Sequence, residues 1–216
     1  MVESEAAGRG AEHARTSTAP APPPPTLRER KKAAAMRHIQ AVALDLFDRH
    51  GFDSVTIEQV AAAAEASPST VYRYFGTKER LVLQDEFDDR VLAIVGHQLA
   101  AGADPWQAAH VALDAISQEH FVEQAEQTRR RTRMWFEVPS LRAAAYLLID
   151  ETIEGYADAM AATGRWSRGD ARVVASGLVW PLIASVRNWH EDGYARPWPV
   201  YLHRVVELLE PGGAEA

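Results

Sequence analysis

An all-α fold is predicted, and three observations carry the prediction. From Leu27 onward, apolar residues recur at three- and four-residue steps, the spacing that gathers them on one helix face. Gly51, Gly76, Gly102, Gly164 and Gly193 punctuate these runs, and no stretch alternates cleanly enough to make a strand. The 216 residues, 47% of them hydrophobic, suffice for one compact domain or two small ones with a buried core. Cysteine is absent, which excludes disulfides, thiolate metal sites, cysteine nucleophiles and iron–sulfur clusters. No apolar run approaches the ~18 residues of a membrane span, and no basic start precedes an apolar stretch at the N-terminus. A soluble, cytoplasmic protein without membrane contact is expected.

Taken in order, residues 1–25 read as a disordered tail, with Pro20, four consecutive prolines at 22–25 and no aromatic residue. The proline run is expected to act as a stiff spacer. The first helix follows, with Met36, Ile39, Ala43, Leu46 and Phe47 on one face. Leu81, Val91, Leu92, Val95 and Leu99 predict one long helix, and residues 108–116, 141–160, 171–189 and 200–209 predict others. Charge divides the chain at about residue 80. Residues 26–80 hold nine basic and seven acidic side chains, residues 81–216 twelve and twenty, within a total of −7. Only the front, residues 26–80, therefore suits a polyanion.

Residues 56–78 are the most informative stretch and read as two very short helices between two long ones. Thr56 is a good N-cap, and Gln59 three residues on completes a capping box. Ile57, Val60, Ala61 and Ala64 form an apolar face of small side chains. Ser67 caps the next helix, and Pro68 takes its first position, where a missing N–H costs nothing. Val71 and Phe75 anchor this helix inward and leave Ser69, Thr70, Arg73 and Tyr72 or Tyr74 outward. Core packing is the plainer account of its aromatics, and it suits Phe75, whereas polar neighbours favour the surface for both tyrosines. Gly76 ends the helix, Thr77 caps the next, and Lys78 lies in that helix's first turn. Two helices joined by a tight turn let the second enter a DNA major groove while the first braces against the backbone. Hydroxyls and a guanidinium suit base edges and phosphates, and Lys78 adds charge at a positive helix end.

The run Ile39-x-x-Val42-Ala43-x-x-Leu46-Phe47-x-x-x-Gly51-Phe52-x-x-x-Thr56-Ile57 resembles the start of the TetR (tetracycline-repressor) family. The resemblance continues through Val60-Ala61 and Ser67-Pro68-Ser69-Thr70-Val71-Tyr72-Arg73-Tyr74-Phe75-x-x-Lys78-Glu79-x-Leu81. It implies a homodimeric, all-helical transcription regulator, usually a repressor. A three-helix helix-turn-helix domain (residues 26–80) then precedes a ligand-binding and dimerisation domain (residues 81–216). By position, the resemblance implies that Thr56, Tyr72 and Lys78 contact phosphate, and that Pro68, Ser69, Thr70, Arg73 and Tyr74 meet bases or nearby backbone. Glu58 falls where relatives approach a base, and it either accepts from a cytosine amine or is solvated. One departure is Ala64-Glu65-Ala66-Ser67, where the family commonly has glycine then valine. Glu65 is expected at positive φ, at ~1 kcal/mol, with an acid near DNA.

Arg28, Arg30, Lys31, Lys32 and Arg37 cluster at the start of the first helix. A solvated face is the plain alternative, but beside a DNA-binding segment phosphate or minor-groove contacts are expected.

The back half is less specific. All six tryptophans lie there, Trp106, Trp135, Trp166, Trp180, Trp189 and Trp198. Aromatics at helical spacing make ordinary core, and they also line pockets for small organic ligands. In Arg129-Arg130-Arg131-x-Arg133-Met134-Trp135-Phe136, Arg129 and Arg130 are assigned to an exposed cationic face. Arg133, Trp135, Phe136 and Trp180 are assigned to the ligand pocket, Arg133 as the group that meets an anion. Arg133, Pro139, Leu141 and Glu154 are also similar to an actinobacterial-type branch of the family that includes sensors of acyl-coenzyme A. That similarity implies a fatty-acyl or other hydrophobic anion. Ala171, Val174, Leu178, Leu182, Ser185 and Val186, with Leu202, Val205, Val206 and Leu209, are expected to pair with a second copy. Pro181 is expected to kink its helix.

An all-helical enzyme is the rival class. No Gly-x-Ser-x-Gly, phosphate loop, dinucleotide glycine pattern or His-Glu-x-x-His occurs, and none of the eight histidines ends a Glu-x-x-His pair. His110, His120, His190 and His203 are scattered and expected at surface or hydrogen-bonded positions. No catalytic residue, metal or cofactor is expected. The expected partners are a double-stranded DNA operator, a small-molecule effector and a second copy of the chain.

Overall fold

The computed structural model describes residues 26–84 and 86–209; the tail at 1–25 and the Val206 side chain, both assigned above, lie outside the described residues. Among the described residues the chain is helical throughout and forms no strand. The helices are α1 (Leu27–His50), α2 (Ile57–Ala63), α3 (Pro68–Phe75), α4 (Arg80–Leu83) and α5 (Glu86–Ala100), then α6 (Pro105–Gln118). A single π turn (Glu119–Glu123) leads into α7 (Ala125–Glu137), followed by α8 (Pro139–Ala162), α9 (Arg168–Glu191) and α10 (Trp198–Leu209).

Local chemistry sets the front helices. Thr56 and Gln59 form the expected capping box on α2, and the Ser67 side chain caps α3 with Pro68 in its first turn. A further box, unmarked in the sequence reading, opens α1: Thr26 accepts from the Glu29 N–H at 3.3 Å, and Glu29 accepts from the Thr26 N–H at 2.6 Å. Gly51 (φ +82°) and Gly76 (φ +74°) end α1 and α3 in the left-handed region. Glu65 is also there, at φ 51°, as expected of the turn between α2 and α3.

The long helix predicted over 81–99 is two pieces. Gln84 is extended (φ −119°, ψ 150°) between α4 and α5. Buried Gln40 of α1 stabilises the break: its Nε2 donates to the carbonyls of Leu81 at 3.3 Å and Gln84 at 2.5 Å. Carbonyls that a continuing helix would have bonded are thereby satisfied. Leu81 and Val82 turn into the front core, while Ile94, Val95 and Leu99 of α5 join the back.

Three apolar clusters hold the molecule. The first lies beneath α1–α4, with Leu44, Val60, Val71, Phe75 and Leu81 inaccessible or nearly so. It also takes in Met134 of α7 and Leu141 of α8, so the front core crosses the boundary drawn at residue 80. The second lies among α5, α6, α8 and α9, and the third joins Trp189 to Trp198, Tyr201 and Leu202. Both indoles of the third are satisfied, Trp189 on the Arg196 carbonyl at 2.9 Å and Trp198 on Ser185 Oγ at 3.0 Å.

The faces of α9 and α10 expected to meet a second copy are corrected by this packing. Ala171, Leu178, Ser185, Leu202 and Val205 are buried inside their own chain, Val174 packs on the second cluster, and Leu182 and Val186 pack on the third. The monomer's core claims the most apolar stripe. Of the expected set Leu209 of α10 stays exposed; exposed besides it are Val173, Gly177, Trp180 and Ala184 on α9, and Val200 and Leu208 on α10. Pro181 lies inside α9, where it offers no N–H to the preceding turn. No helix among the described residues is long and apolar enough to cross a membrane.

Candidate nucleic-acid interface and ligand cavity

The outer face of α3 is built from its buried side. Val71 and Phe75 are fully buried, which leaves Pro68, Ser69, Tyr72 and Arg73 exposed and Thr70 half-buried. Hydroxyls preorganise this face: Ser67 Oγ lies 2.9 Å from Ser69 Oγ and 2.8 Å from Thr70 Oγ1. Arg73 Nη2 donates to Thr70 Oγ1 at 3.5 Å, and the guanidinium lies 5.1 Å from the Tyr74 ring centre. Tyr74 itself is half-buried against the front core, so the surface position expected for it is only partly kept.

Thr56 and Glu58, exposed at the start of α2, adjoin the same face. The Tyr72 hydroxyl donates to Glu58 Oε1 at 3.3 Å. Glu58's carboxyl is held below the usual range by its own backbone N–H and by Thr56, and its charge pushes the Tyr72 phenol up. At neutral pH Glu58 is thus an ionised acceptor that orients a protonated Tyr72. Neither of the two roles weighed for Glu58 included this one.

Lys78 requires a correction. Its ammonium donates to the carbonyls of Phe52 at 2.9 Å, Val55 at 3.1 Å and Asp53 at 3.5 Å, and lies 4.3 Å from the Phe52 ring centre. The donors expected to face phosphate instead brace the loop that leads into α2. In the basic cluster, Arg28, Arg30 and Lys31 are exposed, while Lys32 pairs with Asp89 of α5 at 3.2 Å.

Behind this surface a cavity of about 420 Å³ lies among α5–α9 and reaches Trp198 of α10. Its size falls within the ~300–1,000 Å³ of small-molecule sites. Phe87, Leu113, Phe121, Trp135, Val179 and Trp198 give it apolar walls. The π turn after α6 brings both His120 and Phe121 to the wall. The His120 ring meets Phe87 at 4.7 Å and Phe121 at 4.4 Å, and Phe121 stacks on Trp198 at 4.1 Å. Arg80, Asp88, Asp89, Glu151 and Tyr156 supply polar groups, with Arg80 paired to Glu151 at 2.5 Å.

A much smaller hollow shares Trp135, Ala145, Ile149 and Ile183 with the cavity and adds Phe136, Arg142, Tyr146, Trp180 and Arg187. Three of the four expected ligand residues meet here, and only Trp135 also reaches the cavity. Arg133 lines neither; it donates to Asp48 of α1 at 3.0 Å. Arg130, assigned to a solvated face, instead donates to Asp48 and Asp45, each at 2.8 Å. Arg129 is exposed as expected. In the hollow the cationic places belong to Arg142 and Arg187, the latter 5.3 Å from the Phe136 ring centre. The sequence reading missed both arginines, as well as Phe87, Asp88, Phe121 and Tyr156 of the cavity. Helix α7 thereby touches everything: Trp135 faces the cavity, Met134 enters the front core, and Arg130 and Arg133 hold α1.

Residues 39–84 match the model of bacterial regulatory proteins of the tetR family, and residues 103–214 match the MftR C-terminal domain. The chain is 35% identical over 102 residues to the HTH-type transcriptional regulator TcmR of Streptomyces glaucescens, covering 46% of this chain and 45% of that protein. It is 27% identical over 127 residues to the putative mycofactocin biosynthesis transcriptional regulator MftR of Mycobacterium tuberculosis, covering 53% and 58%. The chain thus spans about half the length of the curated relatives it matches. Its fold is shared with the fatty acid degradation regulator FadR from Bacillus halodurans, at a TM-score of 0.52 and 16% identity over 82% of this chain and 95% of that one. With the recognition helix and its caps in place and both parts of the chain matched, the protein belongs to the tetR family of bacterial regulatory proteins.

Proposed function

We propose that the protein is a ligand-responsive transcriptional regulator, a repressor that leaves a palindromic DNA operator when a small hydrophobic molecule occupies its cavity. The observation that carries this reading is the outer face of α3, with Ser69, Thr70, Tyr72 and Arg73 presented over the buried anchors Val71 and Phe75. In this reading α3 enters the major groove, Thr56 and Tyr72 reach phosphate, and Pro68 and Tyr74 approach the backbone. Arg28, Arg30 and Lys31 add phosphate contacts. A homodimer offers two such helices to successive grooves about 34–36 Å apart. Acyl chains are among the apolar shapes that suit the cavity walls. The ligand binds more tightly to the form whose recognition helices are wrongly spaced, and DNA weakens ligand binding by the same factor.

A gel shift against the DNA flanking the protein's own gene tests the reading. A saturable, salt-sensitive shift is expected, reduced by Tyr72→Ala and by Arg73→Ala. A shift indifferent to both substitutions rejects the assigned surface.

A further inference from the structure

We infer that the cavity takes an uncharged ligand, because each acid and the guanidinium in its wall already has a partner within the chain. The inference rests on the cavity being the effector site and names the charge class of the effector.

Among the described residues, the groups of the wall able to carry a charge near neutral pH are Arg80, Asp88, Asp89, His120 and Glu151. Arg80 donates to Glu151 at 2.5 Å and to Gln84 Oε1 at 3.2 Å. Asp89 is paired with Lys32 of α1 at 3.2 Å, and Asp88 is engaged as well. All three acids are exposed to solvent, which screens what their partners leave uncancelled. The His120 ring is in edge-to-face contact with Phe87 at 4.7 Å and Phe121 at 4.4 Å. Tyr156 keeps its proton: burial first and the Asp88 charge second push its phenol up to about 12. Arg142 and Arg187 belong to the neighbouring hollow and do not line the cavity.

Elsewhere the wall is apolar. Leu113, Ile116, Val179, Leu182 and Trp198 face the same space, and the indole N–H of Trp198 is already held by Ser185. An ion moving from water into such a space loses hydration that no uncommitted opposite charge replaces. An uncharged ligand gains the burial of its apolar body without that loss. An ion of either sign would have to break a pair already made, and the charge left behind would then be unmatched.

Titration of the full chain with octanol, octanoate and octylammonium, followed by the emission of Trp135 and Trp198 in the wall, tests this. It is run at pH 8, where an imidazole of ordinary pKa (~6.5) is uncharged. Octanol is expected to bind at least about tenfold more tightly than either ion. Glu151→Gln, at an exposed position, leaves the Arg80 charge uncancelled and should tighten octanoate by roughly three- to tenfold. Arg80→Met leaves Glu151 uncancelled and should tighten octylammonium instead. Either ion binding as tightly as octanol, or an octanoate affinity that Glu151→Gln leaves unchanged, overturns the inference. Silence towards all three compounds overturns it together with the reading of the cavity as an effector site. An ion that binds more tightly than octanol and releases DNA sinks the uncharged class while upholding the regulator, and the gel shift without ligand tests DNA binding independently.

Discussion

The expected place of Lys78 at a helix N-terminus and the tetR-family resemblance both suggested a phosphate contact, and the fold turns it inward. Its ammonium holds the carbonyls of Phe52 and Val55, both in part-buried hydrogen bonds. Lys78→Met should therefore cost about 1–3 kcal/mol of stability, since these acceptors lose a charged donor. DNA binding should weaken with the slope of affinity against salt unchanged, whereas loss of a lysine on phosphate would lower that slope by about one unit. Thermal denaturation and a salt series of gel shifts check both parts. Tyr156 makes a separate case. Its phenol is pushed up to about 12, so above the ordinary value of ~10 the folded state keeps a proton that the unfolded chain releases. Its contribution is intact below pH ~10 and is lost as pH rises toward about 12; Tyr194, pushed the same way by burial and then by Glu137, adds to the trend. Urea denaturation across that window should show stability falling, and Tyr156→Phe should flatten part of the fall. The strained turn at Glu65 could be read from the sequence because turn chemistry is local. Nothing local marks Tyr156, because the cluster that buries it draws on α5, α6 and α9 and the charge acting on it is Asp88 of α5.

The same distinction holds for the helices. Thr56, Gln59, Ser67 and Pro68 announce α2 and α3 because each cap bonds within three residues. The break between α4 and α5 depends on Gln40, more than forty residues away, and helical periodicity carries no trace of it. Helix α7 was visible as a run of arginines, but their partners Asp45 and Asp48 lie on α1 and made the difference between a solvated face and a clamp. That clamp is one mechanical route from Trp135 in the cavity to the helix-turn-helix, beside Met134 in the front core. Arg130→Met removes both of its carboxylate contacts from a guanidinium only 20% exposed. A stability loss of about 1–3 kcal/mol is expected, between the values of surface and buried pairs. More telling is the coupling: effector affinity should hardly change, while the factor by which effector weakens DNA binding falls several-fold. Measuring effector affinity with and without operator gives that factor directly, and a factor equal to that of the unmodified protein would remove the clamp from the route.

In the proposed homodimer a second copy presents the second recognition helix, and the burial pattern points to where that copy would sit. Most of the stripe expected to pair is enclosed in the monomer, and the proposed surface is the opposite side of α9. There Val173, Gly177, Trp180 and Ala184 follow one another at steps of four, three and four residues. Tyr146 and Leu147 of α8 are exposed beside it, 53% and 70%, with the Tyr146 and Trp180 rings 6.1 Å apart. Small residues at Gly177 and Ala184 allow two copies of α9 to approach closely, and an isologous contact sets each against its symmetry mate. Ala184→Arg places a long cation at that contact without touching the core, since Ala184 is exposed in the monomer. Sedimentation should then show a monomer whose helical circular dichroism is unchanged. On DNA the variant should bind a half-site and a full palindrome equally weakly, while the unmodified protein prefers the palindrome by about 10²-fold or more, the gain of joining two binding modules. A variant that stays dimeric would move the interface away from this side of α9, to a surface that still has to set the spacing of the two α3 helices.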